Sequence, residues 1–107
     1  MKRITALLHA HRMGDIVHAL EALGERRISV VQSTGLLRAS SVREQEYSVQ
    51  LGERVTQEIQ LDVFCETERV DDIIALIQRH ARTGLPNSGW IFVAAIEQGI
   101  PIADPVR

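Results

Sequence analysis

The segment with the clearest chemical potential is TGLPNSGWIFV, residues 83–93. A Thr-Gly pair and a second glycine, Gly89, enclose a short stretch that leads into an apolar run. Backbone N–H groups in such a loop can surround an anion such as a phosphate. The segment contains no lysine to assist them. The sequence therefore leaves three alternatives: a loop that binds a phosphate, a loop that binds something smaller, or a loop that binds nothing.

Histidines form the second candidate set. His9 and His11 make a His-x-His pair, which on a strand places both rings on one face, as two metal ligands require. Two ligands do not complete a structural zinc site, and we expect His11 to lie past the end of the strand. Cys65 falls on an apolar face, where a thiol behaves as a small hydrophobe. We predict no metal site, with a metal-responsive protein as an alternative.

Acidic side chains and nucleophiles do not form a recognisable catalytic pattern. Glu44, Glu46, Glu53 and Glu58 lie in a polar segment and at its exit, where charges are usually solvated. No Ser-His-Asp or Cys-His spacing stands out. We predict that the protein is not an enzyme.

Composition restricts the class of protein. The chain has 107 residues, 45% of them apolar and 24% charged, and a formal net charge of −2. This charge argues against nucleic-acid binding, and no apolar run reaches the ~20 residues of a membrane span. The N-terminus is too short and interrupted in its apolar part for a signal peptide. A single cysteine excludes an internal disulfide, so we expect a single cytoplasmic domain, 1–107.

Periodicity predicts the elements that carry these residues. Residues 2–9 alternate as a strand, with Ile4, Ala6 and Leu8 on one face. From Met13 an amphipathic helix follows, and Gly24 is placed to end it. Residues 27–34 are β-branched and are predicted to form a strand.

The second half repeats this order after a long connection. Residues 35–56 are predicted to form a long loop with a short hairpin around EYSVQLGERV, followed by a strand over 57–65. A helix over 68–82, with Thr67 as its N-cap, precedes a buried strand over 90–98. The tail, 99–107, contains two prolines and is expected to follow the surface or an edge.

Two strand–helix–strand units predict an α+β, ferredoxin-like βαββαβ sandwich. Both helices would cover one face of the sheet. The other face, with Leu7 and Phe64, would have no cover within the chain. An open apolar face of this kind is commonly buried against other subunits, so we expect oligomerisation.

The order and spacing of several blocks resemble the PII signal-transduction proteins and their PII-like relatives. These blocks are MKRITALL, DIVHALEALG, VVQSTGLLR, VFCETERVDDIIALIQRHARTG and GWIFVAAIE. The resemblance implies a homotrimer with an adenine nucleotide in each of three inter-subunit clefts. It also implies that the 35–56 loop responds to the ligand and docks on a target protein, often a transporter or an enzyme.

The same resemblance implies a set of nucleotide-binding residues. They are Leu7, Ser29, Gly35, Leu36, Leu37, Arg38, Asp62, Phe64, Gly84, Pro86, Asn87, Ser88, Gly89 and Trp90.

Departures from the family pattern affect the phosphate end of that site. The family pattern T-G-x-x-G-D-G-K-I-F-V has Gly-Asp where this chain has Asn87 and Ser88, and a lysine where it has Trp90. Pro101 and Ala103 stand where two arginines would reach the neighbouring subunit's nucleotide. Each lost charge-assisted hydrogen bond to a phosphate is worth about 1.5–3 kcal/mol.

We therefore predict a preference for AMP or ADP over ATP, with bicarbonate as a candidate second ligand and carboxysome or inorganic-carbon regulation as a candidate setting. The alternatives are a dead cleft filled by Trp90, a metal-efflux regulator, a nitrogen-regulatory protein and a ligand-free trimeric adaptor. Leu51 stands at the position of the tyrosine that is uridylylated in relatives. Rapid amide exchange is predicted for residues 39–54.

Overall fold

The computed structural model describes residues 1–35, 46–48, 53–82, 84 and 89–103. It contains five strands and two α-helices within those ranges. They are β1 (Lys2–His9), α1 (Met13–Leu23), β2 (Ile28–Gly35), β3 (Glu46–Ser48), β4 (Glu53–Cys65), α2 (Val70–Ala81) and β5 (Gly89–Ala95). Short 3-10 turns, Ala10–Arg12 and Thr67–Arg69, lead into the two helices.

The predicted ferredoxin-like arrangement is confirmed. The sheet order is β2-β4-β1-β5, and β3 pairs with β4 outside this path. The pairs that β1 forms with β4 and β5, and that β4 forms with β2, are all antiparallel. Each half contributes one strand to the centre of the sheet and one to its edge, as two interleaved βαβ units require.

The hydrophobic core lies between the sheet and the two helices. The alternation predicted for β1 is confirmed, since Ile4, Ala6 and Leu8 are buried. The helices contribute the residues that recur at three- and four-residue spacing, among them Ile16, Leu20, Ile73 and Ile77. β4 supplies the opposite wall through Ile59, Leu61, Val63 and Cys65.

The helix ends follow local chemistry, with one exception to our expectations. Gly24 ends α1 with φ 98°, in the left-handed region, and its N–H donates to the Glu21 carbonyl at 3.0 Å. The prediction of Thr67 as N-cap of α2 was wrong. Thr67 begins a 3-10 turn, and its carbonyl accepts the N–H of Val70, so the turn runs directly into the helix without a side-chain cap.

Two strand boundaries differ from the prediction. β4 begins at Glu53, four residues before the expected start at 57, because Thr56 still pairs with Gly35 of β2. The expected hairpin is confirmed by pairing of Tyr47 with Arg54. β5 ends at Ala95, before the expected end at 98.

In the tail, Ile100 and Ile102 are exposed. The predicted rapid exchange of 39–54 concerns mainly residues outside the described ranges.

One face of the sheet carries exposed apolar side chains, as predicted. Register places Val31, Leu7 and Trp90 in one row across β2, β1 and β5, with Gln60 of β4 between the first two. Val31, Trp90 and Phe92 are each at least half exposed. Neither helix in the described part of the chain is long and apolar enough to cross a membrane.

Candidate functional site

A cavity of about 270 Å³ opens where β1 and α2 end and β5 begins. Its wall includes the predicted site residues Leu7, Gly89 and Trp90, together with Ile77, Gln78 and Arg82 of the α2 end. Arg82, which follows α2, and Gly89, at the start of β5, both line this cavity, whereas residues 83 and 85–88 of the predicted loop lie outside the described ranges. The structure therefore brings the end of β1 and the start of β5 together within one chain. The sequence had linked them only through the family pattern of site residues.

Gly89 occupies the point of closest approach between β5 and β1. Its φ is 136°, and an added Cβ would collide with the backbone carbonyl oxygen of Leu7. Packing alone thus requires glycine at this position, whatever the loop binds. Gly84 also has a positive φ, 82°, but open space surrounds it, so its conformation rather than contact favours glycine.

Trp90 borders the cavity, but its ring lies on the open face of the sheet and does not fill the cavity. Its side chain is 64% exposed, and its ring stacks on Phe92 with centroids 6.1 Å apart and an interplanar angle of 12°. The expectation that Trp90 begins a buried strand was wrong for the single chain. β5 is the edge strand of the sheet, and its outer face has no cover within the described chain.

Asp62 belongs to a polar row on the open face of the sheet. It pairs in register with Ser29 of β2 and with Thr5 of β1. The Thr5 hydroxyl donates to Oδ1 of Asp62 at 2.5 Å, and the Gln60 amide donates to Oδ2 at 3.2 Å. These bonds hold the carboxylate in place and leave it further lone pairs for another donor.

Phe64 lies at the opposite end of the sheet from the cavity. It pairs with Arg3, four residues before Leu7 on β1, which corresponds to about 13 Å along the strand. Phe64 instead borders a groove with Cys65 and Arg69, where Arg69 lies 2.8 Å from Glu25 and donates to the Leu23 carbonyl. One chain therefore does not place Phe64 and Trp90 around the same small ligand.

Comparison with known proteins identifies the family. The sequence profile described as "Nitrogen regulatory protein P-II" matches residues 1–103. The chain belongs to the P-II family. It is 28% identical over 106 residues to nitrogen regulatory protein GlnK of Escherichia coli (strain K12), covering 95% of this chain and 91% of that protein.

Two further relatives agree. Nitrogen regulatory protein P-II of Rhodospirillum rubrum is 28% identical over 102 residues, and that of Bradyrhizobium diazoefficiens is 29% identical over 106 residues. In both cases the match covers 95% of this chain and 91% of the relative. P-II family proteins are signal-transduction regulators, and this chain is a regulator of that family.

Some of the residues that the P-II resemblance assigned to the nucleotide lie outside the described ranges. They are Leu36, Leu37, Arg38, Pro86, Asn87 and Ser88. Gly35, which precedes the first three, is described as the last residue of β2 and pairs with Thr56.

Arg82 and Gln78 were absent from the predicted site, although both line the cavity. Gln78 lies in the last turn of α2 and Arg82 directly follows the helix, four residues later, a spacing that places both on one side of the helix end. That spacing, just before the Thr-Gly of the loop, was the available sequence signal. Helical periodicity predicts the buried stripe that includes Ile77, whereas Gln78 and Arg82 are exposed and lie outside that stripe.

The alternative metal site gains no third ligand among the described residues. His9 is 2% exposed, while His11 lies in the 3-10 turn after β1, as expected, with ring centroids 6.0 Å apart. No group of three or more His, Cys, Asp or Glu side chains suited to a metal occurs in the part of the chain that the structure describes. Burial raises the pKa of the Cys65 thiol, and the Glu25 carboxylate adds to this effect.

Proposed function

We propose that this P-II family regulator binds AMP or ADP in preference to ATP, in clefts between the subunits of a homotrimer. The observation that carries the proposal is Trp90, which borders the cavity and stands where the family pattern T-G-x-x-G-D-G-K-I-F-V has a lysine. An indole has one N–H donor and no charge, so it cannot replace an ammonium group beside a triphosphate. A ligand with fewer phosphates loses less from this replacement.

The magnitude of the effect favours discrimination by phosphate number. Three cationic side chains of the family pattern are replaced here, by Trp90, Pro101 and Ala103. At about 1.5–3 kcal/mol for each charge-assisted hydrogen bond, their combined loss weakens ATP binding by several powers of ten. AMP, which presents one phosphate, depends on fewer of these contacts.

The separation of the predicted residues supports a site between subunits. Leu7, Gly89 and Trp90 border the cavity, whereas Phe64 lies about 13 Å away along β1. Both groups can contact one nucleotide if each comes from a different subunit. The exposed row with Val31 and Trp90, and Phe92 beside it, provides apolar surface for such an assembly.

The physiological signal has two candidate chemistries. The relatives' names concern nitrogen regulation, which favours a nitrogen-regulatory role. The trimmed phosphate site also leaves space for a small anion such as bicarbonate, the basis for a role in inorganic-carbon regulation. In either setting, we propose that residues 35–56 signal to a target protein whether the ligand is bound. The ligand can shift the conformation of this loop only by as much as it binds one loop conformation more tightly than the other.

Thermal melting and calorimetric titration of the purified protein with AMP, ADP, ATP and cyclic AMP, each with and without bicarbonate, test the proposal. A ligand at 100 times its Kd stabilises the folded state by about 2.7 kcal/mol, which is readily detected. Larger stabilisation by AMP or ADP than by ATP is expected. A further shift with bicarbonate would support the carbon role.

Two variants at one position isolate the missing charge. Trp90→Lys restores the ammonium group and is expected to increase ATP affinity more than AMP affinity, whereas Trp90→Gln removes the indole without adding charge and is the matched control. Equal ATP and AMP binding by the wild-type protein would refute the discrimination. If no nucleotide binds, a zinc titration of wild type and His9→Ala separates the metal-responsive protein from the ligand-free adaptor.

A further inference from the structure

Arg82 is the charged member of the cavity wall among the residues that the structure describes there. The remaining described wall residues are apolar, glycine or the neutral Gln78 and Trp90. Arg82 follows Ala81, the last residue of α2, and its backbone is extended, with φ −61° and ψ 132°. Arg82 therefore follows the last turn of the helix and begins the segment before β5.

The electrostatics of this position favour a cation as part of an anion site. Backbone carbonyls at the C-terminal end of a helix carry a partial negative charge, equivalent to about half an elementary charge. The cavity lies at that end of α2, so without Arg82 its local field disfavours a phosphate. A guanidinium offers a planar fork of N–H donors that matches two oxygens of a phosphate or carboxylate group.

We infer that Arg82 supplies the positive charge that Trp90 does not, and that Arg82 and Gln78 together bind the anionic group of the ligand. The chemistry recognised is a small oxyanion, either the phosphate of a nucleoside monophosphate or a free anion. The two residues lie one helical turn apart and both line the cavity, a placement that allows a guanidinium and an amide N–H to donate from the same side.

The size of the cavity agrees with a small anionic group. Its volume of about 270 Å³ is just below the ~300 Å³ at the lower end of small-molecule sites. This volume accommodates one anionic group and a part of the molecule that bears it. A second subunit would have to provide the surface for the rest of a nucleotide. The identity of that molecule, a nucleotide, rests on the proposed function, whereas the negative charge of the bound group does not.

A structural role for Arg82 predicts a different outcome. A cation at a helix C-terminus stabilises the helix by about 0.3–1 kcal/mol, so removing it would lower the melting temperature without changing ligand selectivity. Arg79, on the same helix, is also exposed and basic but does not line the cavity. Arg79→Gln is thus the matched control for Arg82→Gln, since both remove one charge near the same helix end.

The experiment measures binding of AMP, adenosine, inorganic phosphate and bicarbonate to the wild-type protein, Arg82→Gln, Arg82→Lys and Arg79→Gln. Calorimetric titration measures the affinities, and the fluorescence of Trp90, the single tryptophan of the chain and a residue at the cavity border, serves as a second readout. Because Arg82 is exposed, the lower end of the range for a charged hydrogen bond applies, and Arg82→Gln is expected to weaken AMP about tenfold. Adenosine affinity should stay unchanged, Arg82→Lys should retain part of the AMP affinity, and Arg79→Gln all of it.

Failure of this inference is distinguishable from failure of the proposed function. AMP binding that Arg82→Gln leaves intact overturns the role of Arg82 while the nucleotide site stands. If no nucleotide binds the wild-type protein, the proposed function fails. Phosphate or bicarbonate binding that Arg82→Gln abolishes would then still support the oxyanion site. Absence of binding by all four compounds overturns the inference as well.

Discussion

Replacing Gly89 with alanine separates packing from ligand binding as the reason for this glycine. Gly89 has φ 136°, and a Cβ there would collide with the Leu7 carbonyl oxygen. Backbone strain of this kind costs on the order of 1–3 kcal/mol. The colliding atom belongs to the backbone, so β5 must also move and open the Leu8–Gly89 end of the ladder, at about 1 kcal/mol per hydrogen bond. We expect Gly89→Ala to lower the free energy of unfolding by about 2–4 kcal/mol.

Two other glycines calibrate the measurement. Gly84 has φ 82° with nothing within contact distance of an added Cβ, so Gly84→Ala should cost only the backbone term, about 1–2 kcal/mol. Gly14 lies inside α1 with open space around it, and Gly14→Ala should stabilise the protein by up to about 1 kcal/mol.

Urea unfolding followed by circular dichroism, at one fixed protomer concentration, measures all three variants against the wild type. The expected order of stability is Gly14→Ala, wild type, Gly84→Ala and then Gly89→Ala. If Gly89→Ala were as stable as the wild type but no longer bound nucleotide, the packing argument would be refuted and Gly89 would be a ligand-binding residue.

Three further predictions concern the sheet and the core. Thr5→Val removes the hydroxyl that donates to Asp62 and should lower the free energy of unfolding by about 1–3 kcal/mol, whereas Thr5→Ser should retain most of the stability. Equal losses of stability for the two variants in urea titrations would count against the hydrogen bond. Ile73→Ala, at a fully buried position of α2, should cost about 2–5 kcal/mol, and Ile73→Val about 0.5–1.5 kcal/mol, by the same assay. Folding raises the pKa of Cys65, so the thiol of the unfolded chain loses its proton at lower pH than the thiol of the folded protein. The free energy of unfolding should therefore fall as pH rises above about 8.5. Cys65→Val should lack this part of the decline, and parallel pH profiles of the two proteins would contradict the prediction.

The fold was predictable where local pattern determines structure. Alternation in β1 and the three- and four-residue spacing in α2 each identify one buried face, and Ile4 and Ile73 lie there. The start of β4 and the N-cap of α2 were missed, because both depend on backbone hydrogen bonds that side-chain pattern does not reveal. Thr56 stays in the sheet through Gly35, which precedes it by 21 positions.

The candidate site was less predictable because its wall comes from distant parts of the chain. Leu7 and Arg82 line the same cavity although 75 positions separate them. Trp90 was expected in a buried strand, since its apolar neighbours suggested burial, but edge position in a sheet is a property of topology. The family pattern includes a glycine at position 89, but it does not reveal the steric reason for that glycine.

The length of β4 has a mechanical consequence. Its 13 residues extend about 43 Å, from Cys65 in the core to the hairpin with β3. Thr56 pairs with β2 and the adjacent Val55 pairs with β3, so β4 is a single strand that takes part in both ladders. A displacement of the hairpin is therefore transmitted along the backbone of one continuous strand to Leu61 and Val63 in the core.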